Sequence, residues 1–209
     1  MGMYYYLRLY KGTEAATFRE EMSRAAETVG GSIKWNVPHA RPDEDLRLAH
    51  NNDVHTVYLP YNEDLHLVYF QELGRRLRLP WLEIRIQDGS IWTYTLYRGK
   101  EVLDTFSVCP QYWDADQTAP AELEEWQGKP DVLSKAWNLP IERVEKYLVN
   151  WGYRDQPDSN FFEFRRTGKA YPTDEHPYGD YEQFFDVLKV LGGVEPREQH
   201  TIKLPKNRL

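Results

Sequence analysis

The chain has 209 residues, with 26 Lys and Arg against 33 Asp and Glu, and a formal charge of −7. With 41% apolar and 28% charged residues it reads as a globular chain, which excludes disordered and fibrous classes. The acidic balance argues against a general binder of nucleic acid or anionic membrane, because both require a basic face.

Within that composition the aromatic balance stands out: 7 Trp and 15 Tyr against 8 Phe. No apolar run is long enough to span a bilayer. The first ten residues hold no basic region followed by an apolar stretch, so no secretory leader is expected. The single cysteine, Cys109, rules out an internal disulfide framework. These features together point to a cytoplasmic setting.

In chain order, residues 4–10 are an aromatic-rich strand candidate. Thr13 is placed to cap a helix closed by Gly30 and Gly31, with Phe18, Met22, Ala25 and Val29 at helical spacing. Residues 32–37 form a short strand candidate, 38–53 a polar loop, and 55–61 another strand. Asn62 then opens a second helix, with Glu63 and Asp64 in its first turn and Arg75, Arg76 and Arg78 in its last. Leu65, Val68, Tyr69, Leu73 and Leu77 make its apolar stripe, and Pro80 stops it.

Residues 82–87 and 90–97 alternate around Asp88-Gly89, a two-residue hairpin signal. A second turn near Arg98-Gly99 leads to a strand over 102–108. A two-residue register there puts Val102, Asp104, Phe106 and Val108 on the face of Ile91. Trp92, Tyr94, Leu96, Leu103 and Thr105 then occupy the other face. Both faces are partly apolar and both need a cover.

The pattern over the first 112 residues is α+β: a ferredoxin-like βαββαβ start extended by a β-meander into a mostly antiparallel mixed sheet. Right-handed crossovers put both helices on one face. Residues 113–209 read as a mainly helical portion packed on that sheet as one compact unit with it. Helices are expected over 120–127, 131–137 and 140–151, with a strand over 161–165. Asp180 with Gln183 forms a capping box for a last helix carrying Phe184, Val187, Leu188 and Leu191, closed by Gly192. From 113 onward there are 13 basic and 18 acidic residues, against 13 and 15 before.

Residues 133–148 resemble the helix-turn-helix pattern through Ala136, Leu139, Val144 and Leu148, with Asn138 where a glycine is usual at the turn. The resemblance implies DNA binding through residues 131–151. Against it, Glu142, Arg143, Glu145 and Lys146 cancel in charge, so a packed helix pair is the stronger reading and nucleic acid is disfavoured as a partner.

The chemistry-bearing candidates are few. His39, His50, His55 and His66 fit no helix-borne metal pair, and neither a metal nor a cofactor is expected. Cys109 has no local base to activate it. Asp174, Glu175 and His176 could hold an acid–base pair, though a solvated turn is the simpler reading. No Gly-rich phosphate loop or G-x-S-x-G elbow occurs.

An acidic stretch is the sharper feature. Asp114, Asp116, Glu122, Glu124 and Glu125 precede the first basic residue, Lys129, and Trp113 and Trp126 bracket them. With Trp92 and Tyr94 from the meander, these residues are the candidate binding set, because Trp and Tyr bury large areas while keeping a polar tip. The leading expectation is a non-catalytic acidic module that binds a basic protein, such as an inhibitor or immunity-type protein. The alternative is an enzyme or small-ligand protein, with a pocket between sheet and C-terminal helices near Trp92, Tyr94, Asp104, His55 and Cys109. The sequence leaves the oligomeric state open.

Overall fold

The computed structural model describes residues 5–35, 46–59, 67–87, 91–112, 124–152, 161–180, 182–195 and 200–203. Among the described residues eight strands form one sheet in the order β2-β8-β3-β4-β1-β5-β6-β7. They are β1 (Tyr5–Lys11), β2 (Lys34–Trp35), β3 (Leu46–Asn51), β4 (Val54–Leu59), β5 (Pro80–Gln87), β6 (Ile91–Arg98), β7 (Glu101–Ser107) and β8 (His200–Lys203). Among the described residues the α-helices are α1 (Ala15–Thr28), α2 (Leu67–Leu77), α3 (Pro130–Trp137), α4 (Phe161–Thr167) and α5 (Gln183–Val190). The class is α+β. Among the described residues no helix is long and apolar enough to cross a membrane.

The chain divides into two compact units. Tyr5–Ile84, Tyr97–Val102 and the chain from Gly192 make the split-βαβ unit; Arg85–Leu96 with Leu103–Leu191 makes the C-terminal unit.

In the split-βαβ unit the order β1-α1-β3-β4-α2-β5, with neighbours β3-β4-β1-β5, is the ferredoxin-like arrangement. The expected arrangement is present, but its second strand is β3. That strand lies in the stretch read as a polar loop. The strand expected over 32–37 is only Lys34–Trp35, paired antiparallel with β8 at the margin of the sheet. Leu46 and Leu48 of β3 are buried and Arg47 is half-buried, a two-residue alternation. β3 pairs antiparallel with β4 through a tight turn at Asn52, whose φ is 52°.

Both helices pack on one core with Tyr10, Leu46, Leu48, Val57, Leu59 and Trp81. From α1 come Phe18, Met22, Ala25 and Ala26; from α2 come Tyr69, Phe70 and Leu73. Glu14, rather than Thr13, occupies the cap position of α1. At its other end Gly31 N donates to Ala26 O and Gly30 N to Glu27 O, with Gly30 at φ 82°. That is a Schellman closure, which needs the left-handed residue glycine tolerates. In α2, Val68 is 66% exposed and Phe70 takes its expected place in the core. Leu65, Asn62, Glu63 and Asp64 lie outside the described residues.

His55 on β4 is fully buried and stacked on Phe18, ring centroids 4.1 Å apart. Its Nε2 lies 2.9 Å from Thr13 O, an acceptor only, so Nε2 carries the proton. Its Nδ1 has no partner among the described residues. Burial lowers its pKa, outweighing the Thr13 bond; His50 and Arg19 lower it further and Asp53 opposes them. The unfolded chain therefore binds a proton, from the ordinary value of 6.5 downward, that the folded chain refuses. Stability from this group is complete above that value and falls as the pH drops, by at most about 1.4 kcal/mol per pH unit. Urea midpoints between about pH 7.5 and about pH 5.5 should fall more for the wild type than for His55→Gln. Equal falls would show that another group governs the acid response.

Candidate functional site

The β6–β7 pair carries the site. Val108 N donates to Trp92 O (3.2 Å), and the Phe106 ring lies 4.8 Å from Trp92 and 5.7 Å from Tyr94. Asp104, Phe106 and Val108 therefore share the face of Trp92 and Tyr94, not that of Ile91. The two-residue register assumed at Arg98-Gly99 has the wrong parity, and a slip of one residue moves every side chain to the other face. Trp92 and Tyr94 are 2% and 3% exposed. As folded they offer no surface to a partner.

β7 ends the sheet, so its outer edge requires a cover. The end of the acidic stretch supplies one. Gln127 forms an antiparallel bridge with Phe106, and Ser107 N donates to Trp126 O (3.0 Å). The Thr105 hydroxyl donates to Glu125 O, and Asn150 Nδ2 donates to both Ser107 O and Trp126 O. Trp151 N and Gly152 N both donate to Val108 O (2.9 Å each), which ties the chain after Asn150 to the end of the same strand.

Asp104 fastens the turn that follows. Its Oδ2 accepts the Tyr94 hydroxyl at 2.5 Å and Lys129 N at 2.9 Å. Burial raises the Asp104 carboxyl above the usual carboxylate range, and these two donors oppose the rise. Burial, with the neighbouring carboxylate, also raises the Tyr94 phenol. Gly128 has φ 72°, and a Cβ there would lie 3.0 Å from Phe106 Cδ2 and 3.2 Å from Tyr94 Oη. The positive φ favours glycine at this turn, and a Cβ would press on both side chains. α3 starts directly after it.

With the backbone held this way, Glu124 and Glu125 are exposed and Trp126 is half-buried. Neither carboxylate forms an ion pair among the described residues. The other proposed members of the stretch, Trp113, Asp114, Asp116 and Glu122, lie outside the described residues. Of the remaining tryptophans, Trp81, Trp137 and Trp151 are buried at 0%, 0% and 1% exposure. The aromatic surplus thus serves mainly as core.

The helix expected over 140–151 is two 3₁₀ turns, Ile141–Arg143 and Glu145–Tyr147. α3 ends at Asn138 in the left-handed conformation, φ 51°, as a helix-turn-helix start does. No second α-helix follows it in residues 139–152, so the segment holds no recognition helix. The strand expected over 161–165 is α4, with Glu163 in its first turn and Arg165 and Arg166 in its last, a helical charge order.

The loop with Asp174, Glu175 and His176 is tied down rather than solvated. Asp174 accepts the Tyr147 hydroxyl (2.6 Å) and Tyr171 N (3.0 Å). The amides of Glu175 and His176 each donate to the Asp186 carboxylate of α5 at 2.9 Å. His176 Nδ1 lies 3.1 Å from the same group. Asp180 receives the Glu182 amide on its side chain (3.0 Å) and the Gln183 amide on its carbonyl (3.1 Å), but the cap position of α5 is Glu182 without a side-chain bond, so the expected capping box does not form. Buried carboxylates satisfied in this way organise a loop.

Of the residues proposed for an enzyme pocket, Trp92, Tyr94, Asp104 and Cys109 belong to the C-terminal unit and His55 to the other. Cys109 is fully buried. Among the described residues no group of three or more His, Cys, Asp and Glu side chains is placed to hold a metal. No protein-family model, no curated protein and no solved structure matches the chain.

Proposed function

We propose that the chain is a non-catalytic binding module whose acidic stretch receives a basic protein partner. The observation that supports this reading is the pinning of residues 125–129 along β7. That pinning uses backbone groups, the Thr105 hydroxyl, the Asn150 amide and the buried Asp104, which leaves the Glu124 and Glu125 side chains turned to solvent. A fixed backbone presents its charges with little ordering cost on association. Acidic charges so placed raise the association rate of a basic partner in a salt-dependent way.

An oligo-lysine peptide, followed by fluorescence anisotropy, serves as the test probe. The double variant Glu124→Lys/Glu125→Lys should bind it about tenfold more weakly than the wild type at low salt. Glu142→Lys/Glu145→Lys makes the same change in net charge at two other exposed positions and should cost much less. Equal losses in the two variants would mean that net charge, not this segment, attracts the peptide. Binding that ignores salt would also overturn the reading.

A further inference from the structure

α4 presents a face of opposite character in the same unit. Phe162, Arg165 and Arg166 stand at i, i+3 and i+4, so they lie side by side on the helix. Phe162 is 56% exposed, and both arginines are exposed and form no ion pair among the described residues. An aromatic ring flanked by two guanidinium groups suits a segment that offers carboxylates beside an aromatic ring. The chain carries such a segment itself, in Glu124, Glu125 and the half-buried Trp126.

We infer that this basic, aromatic face of α4 docks the Glu124–Glu125 segment of a second copy of the chain, giving a salt-sensitive homodimer. A two-fold axis makes the contact twice, each copy giving its acidic segment and receiving on α4. The inference rests on the reading of the acidic segment as a docking surface and gives that segment, as its basic counterpart, the α4 face of a second copy.

Sedimentation of the full chain tests it, using two variants with opposite charge reversals. The wild type should dimerise at about 50 mM salt and dissociate at about 500 mM, where the Debye length has shrunk several-fold. Arg165→Glu/Arg166→Glu and Glu124→Lys/Glu125→Lys should each weaken the dimer by at least about tenfold, since each then faces like charge on a second copy of the same variant. Mixed in equal amounts, the two variants face opposite charges at both contacts. They should form a heterodimer within about threefold of wild-type affinity. That recovery separates a broken contact from a misfolded variant.

A wild type that stays monomeric at low salt would overturn self-association. Retained oligo-lysine binding in that case would leave the docking role of the acidic segment standing. A dimer that both variants preserve would place the interface elsewhere.

Discussion

Replacing Glu83 by Leu should destabilise the protein by about 3–5 kcal/mol, the usual cost of stranding a buried charge. Arg8 on β1 and Glu83 on β5 expose 2% and 5% of their side chains. Glu83 Oε2 lies 2.5 Å from Arg8 Nη2 and 3.0 Å from Nε. The guanidinium carbon sits 4.1 Å from the Phe70 ring centroid of α2, inside the packed layer. Without the carboxylate, that cation has no water to turn to. The double variant Arg8→Met/Glu83→Leu removes both charges and keeps comparable volume. It should recover most of the loss, because buried pairs are often no better than an apolar replacement. Urea unfolding of the two variants checks both parts. A single variant that costs under about 1 kcal/mol would show the pair to be solvated.

Trp81→Ala should have an effect of similar size, about 3–5 kcal/mol. Trp81 is fully buried and stacks on Tyr97 at 4.2 Å and on Tyr10 at 5.7 Å. Its indole N–H donates to Gly99 O at 3.1 Å. It also fills the space beside Gly74 of α2, where a Cβ would fall 2.3 Å from Trp81 Nε1. Gly74→Ala should therefore destabilise the wild type, although alanine is the better helix former by about 1 kcal/mol. In the Trp81→Ala background the clash is gone, and the same change should become neutral or stabilising. A sign reversal between backgrounds marks direct coupling through that contact. Additive effects would mean that the two residues do not meet.

These cases also show what the sequence can and cannot reveal. β5, β6 and β7 were legible because their alternation is long and aromatic. β3 was hidden because Leu46 and Leu48 follow Pro42, Asp43, Glu44 and Asp45, and a short alternation after a polar run reads as loop. Phe161, Phe162 and Phe164 suggested a strand by composition, but the segment forms a single short helix with its charges in helical order. Aromatic content is a statement about burial and packing more than about backbone.

At the candidate site the limit was geometric. Asp104 and Tyr94 are ten residues apart, and whether they meet depends on the parity of one turn. The hydrophobic pattern did not settle that parity, because both faces of the meander are apolar. Gly128 carries a local signal, a glycine just before a proline-started helix. Its need to avoid Phe106 and Tyr94 is visible only in three dimensions. The charge of the acidic stretch was plain from the start. The exposed side chains of Glu124 and Glu125, on a backbone bridged to β7, are what tie that charge to a defined place.

The most direct test of that role is an amide NMR titration of the full chain with oligo-lysine at low salt, repeated at high salt. Shifts centred on residues 124–127 and on 105–107 of β7, abolished by salt, are the predicted result. Shifts spread over α1 and α2 with residues 124–127 unmoved would contradict the proposed docking segment.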